Sequence, residues 1–189
     1  KPLNLSENSY SIVDFGVNHT GFVGATIRCG TQTRLFFAFD EVLTDGDVDF
    51  KRLGCVNIVA YDLGAGTYHI EAFEPNTLRY LKIMVLNGRC RVENVFLRDY
   101  SNPDHQRAAF AAGDPKLNQL FEAGVRTLSQ NALDVPMDCP SRERAGWLCD
   151  SFFISRVAHD LSGNTLLEKN FYENYQLPET FAHLPKGML

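Results

Sequence analysis

The chain changes its hydrophobic period once, near residue 100, and nothing else in it constrains the fold as strongly. Before that point, short runs of alternating or aromatic residues are separated by turn signals, the pattern of strands rather than helices. The runs are 10–15, 21–29, 34–40, 56–63, 66–71, 79–86 and 92–100. Between them lie Thr44-Asp45-Gly46-Asp47, Leu63-Gly64-Ala65-Gly66, Glu74-Pro75-Asn76 and Asn87-Gly88, all of turn chemistry. Asn87-Gly88, between two apolar runs, predicts a hairpin. Strands of this length with no helical period among them predict an antiparallel, jelly-roll-like β-sandwich over 1–102.

From Asn102 onward the period is helical. Gly113-Asp114-Pro115 supplies a breaker, an N-cap carboxylate and a proline for the first helical position. Leu117, Leu120, Phe121, Gly124, Val125 and Leu128 then form one stripe. A second helix is expected over 149–161, with Phe153, Val157 and Leu161 four residues apart and Ser162-Gly163 as its stop. Asn164 is expected to cap a third helix through Leu166, Leu167, Phe171, Tyr172 and Tyr175, ended by Pro178. Two or three helices cannot bury such stripes alone, so further helices are expected to pack on them. The chain begins at Lys1 without a signal-peptide pattern and stops just after a helical one, which suggests a segment of a longer protein.

Composition removes several classes of function. With 18 Lys+Arg against 23 Asp+Glu the net charge is −5, which argues against nucleic acid or an anionic membrane as the main partner. No apolar run approaches the ~18 residues that span a bilayer. Five cysteines leave at least one thiol free, and no Cys-x-x-Cys pair or histidine spacing points to a metal. Neither cofactor nor metal is expected. Phe36, Phe37 and Phe39 read as strand core. Asn18-His19-Thr20 fits a glycosylation sequon, a triplet common by chance, so the compartment, cytoplasmic or exported, stays open.

The chemistry lies between the first two helices, in Asp134-Val-Pro-Met-Asp138-Cys-Pro-Ser-Arg142-Glu143-Arg144-Ala-Gly-Trp147-Leu-Cys-Asp150. Pro136 and Pro140 keep this stretch irregular. Asp138, Glu143 and Asp150 place three acids close in sequence, with Arg142 and Arg144 beside them and the only Trp at the centre. Neighbouring carboxylates raise one member's pKa, as a general acid requires, and an indole beside acids is a common way to hold a sugar. The same residues also fit plainer roles. Glu143 suits an ion pair with Arg142 or Arg144, Asp138 an Asx-turn or N-cap, Asp150 the N-cap of a helix starting near Ser151, and Trp147 a core anchor. Cys139 and Cys149 read as separate thiols rather than a bridge across the loop.

The segment resembles the signature of the bacterial α-L-rhamnosidases, glycoside hydrolase family 78, and the resemblance covers most of the chain. Asp14-Phe15-Gly16-Val17-Asn18 and Arg79-Tyr80-Leu81-Lys82-Ile83 look like strand motifs of the family's β-sandwich domain. Asp114-Pro115-Lys116-Leu117-Asn118 resembles the entry to the first helix of its (α/α)6 catalytic barrel. The resemblance implies a sandwich over 1–102, then the first helices of that barrel over 103–189 with the active-site loop at 134–150.

It further implies a glycosidase that inverts configuration at terminal α-L-rhamnosyl residues. Glu143 matches the general acid. Asp138, Asp150, Arg142 and Trp147 match groups that contact the sugar. The general base of the family lies on a later helix, beyond residue 189, so the isolated chain is expected to be inactive. The implied partner is a rhamnose-containing oligosaccharide or glycoside, with a homodimer left open. A non-catalytic carbohydrate-binding or scaffold sandwich is the alternative reading. The sequence departs from the common family form in two places: Arg142-Glu143-Arg144 stands for Arg-Asp-Glu-Arg, and Leu148-Cys149-Asp150 for Thr-Gly-Asp.

Overall fold

Alternation with a period of two organises the first hundred residues of the computed structural model, which describes residues 1–104 and 107–175. Two units result, Lys1–Tyr100 and Ser101–Leu189. The first contains β1 (Leu3–Ser6), β2 (Ser9–Cys29), β3 (Thr33–Asp40), β4 (Ile58–Leu63), β5 (Gly66–Glu71), β6 (Asn76–Asn87) and β7 (Arg89–Asp99). All pair antiparallel in one ladder, β1-β7-β2-β6-β3-β4, with β5 also on β2.

β2 serves both layers of the sandwich. Its first part pairs with β6, which leads on to β3 and β4; its second part is flanked by β5 and β7, with β1 beyond. Inward residues of the two layers meet in one core. Val23, Ile27, Leu35, Phe37, Leu78, Leu81, Ile83, Val85 and Val92 are fully excluded from solvent there, consistent with a two-layer β fold. Phe37 and Phe39 belong to this core, whereas Phe36 points the other way, half-buried beneath the Arg34 guanidinium.

Three differences from the sequence reading have physical causes. Runs 10–15 and 21–29 are one strand, because the break between them is a β-bulge and not a turn. Gly16 takes a φ of +86° there, and its N–H bonds to Asp14, whose carboxylate is held by Arg79 in a two-pronged contact of 2.8 and 2.9 Å. β1 has four residues with only Leu5 fully buried, too little alternation to detect. Asn87-Gly88 turns the chain without making a hairpin: β6 pairs with β2 and β3, β7 with β1 and β2, so the turn carries the chain between layers. Glycine is required at Gly88, since φ is +82° and a Cβ would collide with the Gln32 carbonyl.

The long β3–β4 connection is tied down by one buried charge. Asp40 is 1% exposed and receives two hydrogen bonds from Arg52, both 2.7 Å, and one from the Glu41 N–H, also 2.7 Å. Arg52→Ala is expected to leave that carboxylate poorly partnered and to destabilise the protein by about 2–3 kcal/mol, read as a lower urea midpoint. A change below ~0.5 kcal/mol would show that water replaces the guanidinium at no cost.

The second unit holds α1 (Pro115–Asn131), α2 (Leu148–Ser162) and α3 (Leu166–Tyr175). Asp114 caps α1 by accepting from the Lys116 N–H at 2.9 Å, with Pro115 in the first turn. Gly163 ends α2 in the left-handed conformation, and Asn164 accepts from the Leu166 N–H at 3.0 Å at the start of α3. Leu128, Ala132 and Ala158 form a small core with Ile154, Leu161 and Leu167. The predicted stripes are only partly covered: Leu120 is 69%, Phe153 61% and Leu166 72% exposed. Pro178, expected to end the third helix, lies outside the described residues.

Candidate active site

The loop between α1 and α2 is closed on itself. The Asp138 N–H donates to the Ala145 carbonyl and the Ala145 N–H returns to the Asp138 side chain, both at 3.0 Å. Arg144 takes a φ of +52° to allow the tight return. The loop is also fastened from outside. The Met137 N–H donates to the Asn131 carbonyl at 2.9 Å, and Ser151 of α2 donates to the Pro136 carbonyl at 3.3 Å. Tyr175 of α3 donates to the Gly146 carbonyl at 2.5 Å. Gly146 must lack a side chain, because Phe171 fills the place of its Cβ.

This frame presents Glu143. One carboxylate oxygen is ion-paired with Arg142, and the other accepts from the Trp147 indole N–H at 2.8 Å. The Glu143 backbone N–H donates to the Cys139 sulfur at 3.2 Å. The carboxylate is 37% exposed and the indole 53%, so both are reachable from solvent.

Asp138 is held differently. Burial pushes its carboxyl up, but the Cys139 thiol and the N–H groups of Ala145 and Cys139 donate to it and outweigh burial. Its pKa therefore lies below the ordinary value, and it stands ready as an ionised acceptor rather than a proton donor. Two carboxylates five residues apart thus occupy distinct environments, the condition for dividing roles between them.

Of the five residues singled out in the sequence, the structure joins Arg142, Glu143 and Trp147 directly, and Asp138 to them through the loop closure. Asp150 sits exposed in the first turn of α2, and no hydrogen bond or ion pair between described residues links it to Asp138 or Glu143. It is not the N-cap of that helix: α2 begins at Leu148 and Trp147 holds the cap position. Its carboxylate instead lies near the positive end of the helix dipole. Cys139 and Cys149 are separate thiols. Sequence reasoning missed that Cys139 touches both acids, a role visible only as a neighbour of Asp138, and that Tyr175 anchors Gly146 across 29 residues, for which no local signal exists.

Residues 105–175 match the family model described as the bacterial alpha-L-rhamnosidase 6 hairpin glycosidase domain. The chain is 30% identical over 160 residues to an alpha-L-rhamnosidase of Alteromonas sp. (strain LOR), an alignment covering 79% of this chain and 17% of that protein. The chain is thus similar to bacterial alpha-L-rhamnosidases, its second unit carrying the match to their six-hairpin glycosidase domain. Among solved structures, the family 78 rhamnosidase of Bacillus sp. GL1 superposes with a TM-score of 0.74 at 23% identity, covering 82% of this chain and 16% of that one. The rhamnosidase of Klebsiella oxytoca with rhamnose bound gives 0.69 at 21% identity, covering 77% and 31%. These likenesses establish the fold as a sandwich followed by helices. The chain spans about a fifth of the length of the curated relatives it matches, 17% and 19%.

Proposed function

We propose that this chain is the acid-bearing part of an inverting α-L-rhamnosidase, with Glu143 as the general acid. The observation that carries the reading is the clamp on Glu143: an indole N–H on one oxygen and a guanidinium on the other, at the centre of the segment that resembles the family signature. Such a clamp fixes where the carboxyl group stands, and placement counts as much as acidity in proton transfer. When a sugar binds, its ring can lie against the exposed face of Trp147, with Arg142 and the ionised Asp138 taking its hydroxyls. Asp150, exposed in the first turn of α2, serves as a further hydroxyl acceptor. No cofactor is needed: a protonated carboxyl on one face and a water activated by a carboxylate on the other suffice, the two carboxyls being about 6.5–9.5 Å apart in an inverting enzyme.

The second carboxylate is expected on a later helix of the barrel, so the 189-residue chain has half of the pair. The full-length protein is expected to release L-rhamnose from a rhamnosyl oligosaccharide, with β-L-rhamnose as the first anomer seen by NMR. The isolated chain is expected to release none. Turnover by the isolated chain, or α-L-rhamnose as first product, overturns the assignment. If the full-length protein binds rhamnosyl oligosaccharide without cleaving it, the non-catalytic module is the correct reading.

A further inference from the structure

Away from the Glu143 loop, segment 101–104 and the three helices enclose a cavity of about 30 Å³, room for one small ion or water. Leu128 and Ala158 form part of its apolar wall, and Asn102, Asp104, Asn164 and Glu168 bring oxygen to it. Glu168 is the anomaly. It is 6% exposed, and its Oε2 is fully buried without a hydrogen-bond partner. Its place in the first turn of α3 favours negative charge but supplies no donor to that oxygen. An unpartnered carboxylate against leucine and alanine is costly to fold, and native proteins rarely tolerate one.

Of the groups around it, Asn102 and Asp104 accept hydrogen bonds and the Asn164 amide donates one. The Asn102 amide oxygen accepts from the Asp104 N–H at 2.9 Å, which sets the turn that carries Asp104. One Asp104 oxygen accepts from the Asn164 amide at 3.1 Å, and the other lies 3.8 Å from Arg107 in an exposed, loosely formed pair. Asn164 is itself held by its hydrogen bonds to Leu166 and Ser162. Two carboxylates and amide oxygens, with neither sulfur nor imidazole among the lining residues, suit a hard cation and not a transition metal. Two negative charges on one small void call for a divalent one.

We propose that Glu168 and Asp104, assisted by oxygens of Asn102 and Asn164, bind a divalent hard cation of the calcium class and so fasten segment 101–104 to the α2–α3 turn. The site is independent of the glycosidase reading.

The test is calorimetric titration of the chelator-treated 189-residue chain with CaCl₂ and with MgCl₂, together with thermal melts. The expected result is saturable one-to-one calcium binding and a Tm that rises with the logarithm of calcium concentration. Glu168→Gln, which keeps the shape but removes the charge, is expected to weaken binding by at least tenfold. Absence of saturable binding, or equal affinity in wild type and Glu168→Gln, overturns the site and leaves a hydrated carboxylate. If Glu168→Gln does not fold, Asp104→Asn decides: its carboxylate is exposed, so the fold survives, and unchanged calcium affinity overturns the proposal.

Discussion

Glu143→Gln in the full-length protein is expected to lower kcat on an alkyl or sugar rhamnoside by about 10³-fold, the scale at which a positioned general acid contributes. The glutamine still accepts from the Trp147 indole, so the loop and its sugar contacts are expected to stay in place. What is lost is the proton, together with the charge opposite Arg142. The loss should be much smaller on a nitrophenyl rhamnoside, whose leaving group departs without protonation. That contrast separates an acid from a merely structural carboxylate. Binding can be followed in the same variant by calorimetric titration with the rhamnosyl oligosaccharide. Retained binding with lost turnover is the expected pair of results. Unchanged turnover on the alkyl substrate, or equal losses on both substrates, removes Glu143 from the role.

Phe37→Ala is expected to destabilise the sandwich by about 3–5 kcal/mol, most of the stability of a unit this size. Phe37 is fully excluded from solvent, lies opposite Val59 on β4 and Ile83 on β6, and meets the Tyr61 ring edge-on at 5.3 Å. It therefore sits where three strands of one layer face the other layer, a place with little room to collapse into a cavity. Urea unfolding should show a midpoint lowered in proportion, with the slope unchanged. A loss below ~1 kcal/mol would mean that the core repacks around the missing ring.

The two predictions probe parts of the molecule that were unequally visible in the sequence. The sandwich core was legible because burial enforces alternation: Leu35, Phe37 and Phe39 are inward in the strand that their spacing predicts. The caps were equally legible. Asp114-Pro115 and Gly163 act at positions set by local backbone geometry, and they stand at the ends of α1 and α2. The segment bearing the site could be located from its prolines, its charges and its resemblance to the rhamnosidase signature.

Pairing was not legible. A bulge at Gly16 and a turn at Asn87-Gly88 look alike in sequence, yet one continues a strand and the other sends the chain to a different layer. The choice depends on which edge offers unpaired hydrogen-bond groups, a property of the assembled sheet. The same holds at the site. Asp138, Glu143 and Asp150 lie within thirteen residues; the fold clamps Glu143 between Arg142 and Trp147, surrounds Asp138 with donors and leaves Asp150 exposed on a helix turn.

Composition, period and caps thus determined by themselves that this is a β unit followed by helices, with an irregular acid-rich loop between the first two. Those features depend on contacts a few residues apart or on the simple choice between oil and water. Tertiary structure alone decided which carboxylate is presented with its oxygens clamped, which is held as an anion and which stays in solvent, and that Glu168 is buried without a partner. The loop that carries these acids is held by Tyr175 on Gly146, and Glu168 is enclosed with Leu128 and Ala158, groups distant in sequence that only the completed packing brings together.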